Sequence, residues 1–333
     1  MKALQLVAPS ELALVELPQP SPGPGEVRIR VKACGICGSD LHGMDGSSGR
    51  RIPPIVMGHE ASGIIDAVGE GITAWQAGDR VTFDSTVWCG KCGYCREGRV
   101  NLCDARQVVG VSCAEFRRDG AFAEYLTVPQ RILHRLPEGL SFAEAAFAEP
   151  VGVALHAVRR AGDVLGSTVL VVGAGLIGLL VIQALKRAGA AKVIAVDLDE
   201  GRLTLARELG ADETWLSGSG TPPLLVDIAM EVVGAAPTVD LAIRSVRKGG
   251  RVVLVGNLSP NVPLPLQIVV TRELDVLGSC AIAGEYPQAL EAIASGSIRV
   301  KPLITAAVSL DHGAEAFVKA KAPGALKVLV VDE

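Results

Sequence analysis

Two stretches of the chain carry metal-ligand side chains at short spacing. In the first, Cys37-Gly-Ser39-Asp-Leu-His42 is followed by Gly58-His59-Glu60. A thiolate and an imidazole are the ligand pair that zinc prefers, and Glu60 adds an oxygen donor beside them. Ser39 and His42 stand two and five residues past the thiolate. A hydroxyl and an imidazole there can carry a proton away from whatever the metal binds. The pattern reads as a catalytic zinc with its proton relay.

The second stretch holds Cys89, Cys92, Cys95 and Cys103, four thiols within 15 residues with glycines at the turns. This spacing fits a closed tetrahedral zinc site. The rival is an iron–sulfur cluster, whose bacterial run has three residues before a fourth cysteine followed by proline. Here seven residues intervene and Asp104 follows, so zinc fits better. A closed site has no open position, so its role is to hold a loop. Cys34 reads as a small buried hydrophobe and Cys113 as a lone thiol outside the spacing.

The third chemical signature is Gly173-Ala-Gly175-Leu176-Ile177-Gly178, placed after the strand Val169–Val172 and opening a helix to Ala188. The next strand, Lys192–Val196, ends in Asp197, 19 residues after Gly178. In that context the glycines serve a tight turn, a close approach to a pyrophosphate, and helix–strand packing. The helix N-terminus supplies amides and partial positive charge. Asp197 would accept hydrogen bonds from the adenosine ribose and repel a 2′-phosphate, which favours NAD over NADP. Arg202 is the counter-signal, a nearby cation able to accept that phosphate. Val255 and Gly256, where the strand Arg251–Val255 ends, complete the candidate cofactor contacts.

The elements that must position these residues change character along the chain. Strand-like runs at Ala3–Val7, Leu12–Leu17 and Glu26–Lys32 surround the loop Pro18 to Gly25, with its four prolines and two glycines. Further β runs follow at Ala61–Val68 and Val81–Phe83, so the metal candidates lie at strand ends and loops of a β-rich half. Ser141 and Glu144 form a capping box ahead of a short helix, which leads to Glu149-Pro150. Taken alone, Glu149 is an ordinary surface acid. Beyond it strand and helix alternate, with strands at Glu213–Leu216, Val226–Glu231, Arg251–Val255 and Leu274–Leu277, then a helix at Pro287–Ala294 and β runs at Val308 and Lys327–Val331. Only nine residues, Ser217–Leu225, separate two of these strands, which predicts a truncated crossover without a full helix.

Size and composition bound the class. At 333 residues the chain exceeds one hydrophobic core, so two domains of roughly 150–200 residues are expected. An apolar content of 49% and mean hydropathy of +0.37 support a well-buried globular enzyme and argue against long disordered tails. A net charge of −4 gives no footprint for nucleic acid or anionic lipid. The apolar run Val169–Leu185 is broken by three glycines and reads as strand, turn and helix, not a membrane span. The N-terminus carries no signal-peptide h-region. A cytoplasmic, reducing location is the expectation, and there cysteines serve as metal ligands more often than as disulfides.

Together, Gly-Ile-Cys37-Gly-Ser39-Asp-Leu-His42, Gly58-His59-Glu60, Gly78-Asp79-Arg80-Val81, the four-cysteine lobe and Gly173-Ala-Gly-Leu-Ile-Gly178 occur in the order of a known family. The chain resembles the zinc-dependent medium-chain dehydrogenase/reductase superfamily. The resemblance implies an α/β fold with a doubly wound parallel Rossmann sheet at 151–279, binding NAD. It also implies a β-rich, GroES-like catalytic domain at 1–150 and 280–333, with a structural-zinc lobe at 86–106. The active site would lie in the cleft between the two. Glu149, in Ala-Glu-Pro, matches the position where the polyol branch of the family has a glutamate near its catalytic zinc. That branch includes sorbitol, galactitol-1-phosphate, threonine and 2,3-butanediol dehydrogenases.

One zinc would be catalytic, on Cys37, His59 and Glu60 or Glu149, and one structural, on the four cysteines. The implied reaction is hydride transfer between a secondary alcohol and NAD, with the ketone or aldehyde as product and no direction fixed by sequence. A homo-oligomer, dimer or tetramer, is expected through the Rossmann edge strand near Leu274–Leu277. Two alternatives stand beside this reading. One is an NADP-linked carbonyl reductase of the same family. The other is a non-catalytic zinc- or cofactor-binding protein, which would be expected to have lost Cys37, His59 or the relay pair. Sorbitol dehydrogenases typically follow Gly-Ser-Phe with Arg-Tyr to grip sugar hydroxyls, whereas here Gly278-Ser279-Cys280 continues into Ala281-Ile282. The pairs Arg50-Arg51 and Arg117-Arg118 read as solvated surface rather than as a grip on an acidic substrate.

Overall fold

The computed structural model describes residues 1–218 and 225–332. The chain divides into two units, the first built from Met1–Glu149, Ile282–Ser295 and the residues from Val300 on, the second from Pro150–Ala281 and Gly296–Arg299. The helix Ala148–Ala161 carries the chain from one to the other. It begins one residue ahead of Glu149, so this carboxylate sits in the first helical turn rather than before the helix. Among the described residues no helix is long and apolar enough to cross a membrane.

The first unit is organised by a seven-stranded sheet. Its order is Leu133–Arg135, Arg80–Phe83, Glu60–Val68, Glu26–Gly35, Lys327–Val331, Ile304–Ser309, with Tyr125–Pro129 also paired to Glu26–Gly35. Alternation along Glu26–Gly35 turns Val27, Ile29 and Val31 inward, where they meet Leu4, Leu6, Ile65, Phe83, Phe122 and Phe317. Cys34 is fully buried in that core. Gly58, at φ +96°, passes so close that a Cβ would lie 2.8 Å from Cys34 Sγ and 2.9 Å from the Phe122 amide. Glycine is therefore required just ahead of His59.

The second unit is a six-stranded sheet in which every pair is parallel. Its order is Glu213–Leu216, Lys192–Asp197, Thr168–Val172, Val226–Glu231, Val246–Leu254, Asp275–Gly278. In chain order this is 3-2-1-4-5-6, the Rossmann arrangement, whose switch point lies between Thr168–Val172 and Val226–Glu231. The fifth strand starts at Val246, five residues earlier than the apolar run suggested, because Val246 pairs with Val226 ahead of a register shift that resumes the ladder at Arg251. The expected truncated crossover at Ser217–Leu225 lies, for 219–224, outside the described residues. The piece expected to continue unbroken over 280–333 is interrupted. Gly296–Arg299 joins the second unit, where Gln183 accepts from the Arg299 amide at 2.7 Å and donates to its carbonyl at 3.2 Å.

Candidate metal centre and cofactor site

Strand pairing assembles the metal candidates. Glu26–Gly35 and Glu60–Val68 are antiparallel with Gly35 opposite Glu60, so Cys37, just past one strand end, comes beside His59 and Glu60 at the start of the other. One ligand atom from each of Cys37, His59 and Glu60 falls within 4.8 Å of the others. Cys37 caps the helix Gly38–Gly43, and its amide donates to Asp40 Oδ2 at 3.2 Å. His59 Nδ1 stands 3.6 Å from Asp40 Oδ1 with no hydrogen-bond partner. Thiolate, imidazole and carboxylate converging at this range are a zinc donor set. Without a metal, burial and the nearby Glu60 push the Cys37 thiol up to about 12.

Glu149 stands outside the 4.8 Å trio. It lies near enough that Glu60 and Cys37 join burial in pushing its carboxyl up to about 8, against His59 and Lys327. Ser39 lies near enough to Cys37 to work against the rise of its thiol and, like His42 one turn on, is exposed.

Three residues of this centre were not expected from sequence. Lys327, 2% exposed at its side chain, opens the last strand and ion-pairs with the equally buried Glu60. Its ammonium also donates to the Ile36 carbonyl at 2.9 Å. A side chain at Gly35 would collide with this pair, so glycine ends that strand. The only sequence signal was a lysine leading the apolar run Val-Leu-Val-Val. Asp40 is fully buried, and Arg51, read above as solvated surface, is 3% exposed and bonded to it at 2.9 Å. Arg51 is buried because the buried carboxylate of Asp40 needs a cation, and Arg51 is that cation. Arg50 and Arg117 are exposed, while Arg118 is half-buried against Glu26 and Gln107.

The four cysteines Cys89, Cys92, Cys95 and Cys103 likewise fall within 4.8 Å of one another. Amides of Lys91 and Cys92 bring the Cys89 thiol down to about 6, and backbone hydrogen bonds at Asp104 and Cys95 lower Cys92. Burial holds Cys95 up to about 12. A site with two thiols already inclined to ionise suits a cation that needs thiolates.

In the second unit Gly173 takes φ +102°, and a Cβ on Gly178 would collide with its carbonyl. A Cβ on Gly175 would meet nothing within 4 Å, so open space faces the amides that begin the helix Leu176–Arg187. Leu176 and Ile177 are half-buried beside that space. This cradle fits a pyrophosphate. Asp197 Oδ2 accepts from the Ala174 amide at 2.6 Å and Oδ1 from the Asp199 amide at 3.0 Å, so the carboxylate also fastens the glycine loop. Arg202 Nε is buried without a partner. The amides of Val255 and Gly256 donate to the Glu231 carbonyl at 2.8 and 3.1 Å. Glu231, another residue missed in sequence, is fully buried and accepts from the Val233 and Gly234 amides at 3.0 and 2.8 Å.

Comparison with known proteins bears on this geometry. The alcohol dehydrogenase GroES-like domain matches residues 23–138, and the zinc-binding dehydrogenase family matches residues 177–295. Sorbitol dehydrogenase of Bacillus subtilis is 36% identical over 333 residues, covering 96% of this chain and 93% of that one. The chain belongs to the zinc-dependent medium-chain dehydrogenase/reductase superfamily. It is thus an oxidoreductase with a GroES-like and a Rossmann domain, in the branch that holds the sorbitol and xylulose enzymes. Two solved structures are similar over nearly the full length. A zinc-binding dehydrogenase from Sinorhizobium meliloti 1021 bound to NADP has a TM-score of 0.91 at 34% identity, covering 99% of both chains. An alcohol dehydrogenase from Escherichia coli CFT073 complexed with NADH has a TM-score of 0.92 at 32% identity, covering 100% of this chain and 99% of that one.

Proposed function

We propose that this dehydrogenase interconverts a secondary alcohol of the polyol class and its ketone, with NAD as the hydride carrier and zinc held by Cys37, His59 and Glu60, with Glu149 as an exchanging ligand. The observation that carries the reading is the Cys37–His59–Glu60 trio within 4.8 Å. Zinc would supply a Lewis acid that lowers the pKa of the substrate hydroxyl, and NAD the hydride acceptor.

The chain's own residues do the rest. Ser39 takes the hydroxyl proton at Oγ, and exposed His42 returns it to solvent. Lys327 holds Glu60 in ion pairing when that carboxylate is off the metal. Gly175 and the first amides of its helix receive the pyrophosphate, while Asp197 accepts the ribose hydroxyls. The four-cysteine lobe would hold a second, structural zinc, and thiolate ligands of this kind fit the reducing cytoplasm.

The substrate grip differs from that of a sorbitol enzyme, because Ala281 and buried Ile282 stand where Arg-Tyr is typical. The loss of that arginine and tyrosine favours a smaller or less hydroxylated alcohol. A second reading, linkage to NADP, is favoured by the unpartnered Arg202 Nε and by the NADP-bound relative.

The test is formation of reduced cofactor by zinc-loaded protein against sorbitol, xylitol, galactitol 1-phosphate, threonine and 2,3-butanediol, each with NAD and NADP. Turnover of one compound that a chelator abolishes supports the reading. Near-full activity of metal-free Cys37→Ser would sink it.

A further inference from the structure

Arg51 lies in a glycine- and serine-rich loop, yet it is 3% exposed. The fold makes room for it: a Cβ on Gly43 would lie 2.6 Å from Arg51 Cγ, so the arginine stem crosses where the short helix Gly38–Gly43 ends in glycine. Its guanidinium faces inward. Nη2 donates to Asp40 Oδ1 at 2.9 Å and to Ser39 Oγ at 3.4 Å, and Nη1 donates to the Arg50 carbonyl at 2.9 Å. Asp40 is fully buried and spends its other oxygen on the Cys37 amide, while Oδ1 is the oxygen 3.6 Å from His59 Nδ1. One cation therefore touches the carboxylate that contacts both the thiolate's backbone and the imidazole. It also touches the hydroxyl placed in the relay.

We propose that Arg51 is a positioning residue of the metal centre. By compensating the buried charge of Asp40, it keeps that carboxylate where it fixes the Cys37 main chain and stands against the His59 ring, and so sets the affinity of the site. A buried carboxylate stripped of its cation seeks another partner or expels itself toward water, and either movement releases His59. Partners that orient a ligating histidine contribute ten- to hundredfold in metal affinity. The inference rests on the reading that Cys37 and His59 hold a metal.

The full chain, loaded with zinc or cobalt, would be titrated with a competing chelator as wild type, Arg51→Met, Arg51→Lys, Asp40→Asn and the double variant R51M/D40N. Wild type is expected to bind two metals. Arg51→Met should weaken one site by about ten- to hundredfold and leave the four-cysteine site unchanged. Arg51→Lys, which keeps the cation but loses the fork, should restore part of that loss. The double variant should bind no more weakly than the poorer single one, since Arg51 acts through Asp40. The cobalt–thiolate absorption bands of the weaker site should shift in Arg51→Met.

Wild-type affinity and spectrum in Arg51→Met, or losses that multiply in the double variant, would overturn the proposal. A lower melting temperature with unchanged metal binding would do the same, assigning Arg51 to packing alone. If Arg51→Met does not fold, Arg51→Lys decides by the same titration. Wild type holding only the four-cysteine metal would defeat the metal reading itself, and the Arg51 proposal with it.

Discussion

Glu60 and Lys327 are each about 2% exposed, and such a pair tolerates the loss of both charges better than the loss of one. Lys327→Met should destabilise the protein by about 3–5 kcal/mol in urea unfolding, because it leaves Glu60 buried without a cation. Adding Glu60→Gln should recover much of that loss, and a double variant no more stable than Lys327→Met would remove the pairing argument. Glu149 gives a pH signature. Its carboxyl is raised from an ordinary 4.5 to about 8, so the metal-free folded state keeps a proton that the unfolded chain has released. The contribution of Glu149 to the stability of the metal-free protein should therefore be fullest below about pH 4.5 and fall as pH rises toward about 8. Glu149→Gln should flatten that slope in urea midpoints, and an unchanged slope would assign it to other groups.

Between Cys89 and Cys103 the chain forms only a four-residue helix, Gly93–Arg96, and the single 3-10 turn Val100–Leu102. Neither buries an apolar side chain, so the lobe lacks a core of its own and depends on its thiols. Cys103→Ser should halve the zinc content and open residues 86–106 to protease while the cofactor still binds. Uniform protease resistance would contradict a structural role. In the glycine loop, Gly178→Ala places a methyl group against the Gly173 carbonyl, and NAD affinity should fall at least tenfold by titration. Elements of this kind were legible in sequence, because their chemistry is local: four thiols within 15 residues, or three glycines between a strand and a helix. Asp40, Arg51, Lys327 and Glu231 were not. Each looks ordinary in its own segment, and its role arises from a partner that only tertiary pairing supplies.

At the scale of the molecule, length and the change from antiparallel to alternating pattern pointed to two units. The interruption at Gly296–Arg299 could not be read, since it depends on one glutamine, Gln183, reaching a distant backbone. In the second unit Asp275–Gly278 is an edge strand. The nearby helix Leu266–Thr271 leaves Leu266 63% and Val270 64% exposed. An apolar face beside an open edge suits a second copy of the chain. Val270→Glu should shift a dimer or tetramer toward monomer in light scattering, and an unaltered mass would move the interface elsewhere. The Glu60–Lys327 pair also bears on biosynthesis. The two residues are 267 positions apart, so a nascent chain exposes the thiol, the imidazole and the acid long before the ammonium that balances the acid exists. Metal capture during translation would meet a centre with excess negative charge. The mature charge balance forms only once the strand at Lys327 has been made and inserted beside Glu26–Gly35.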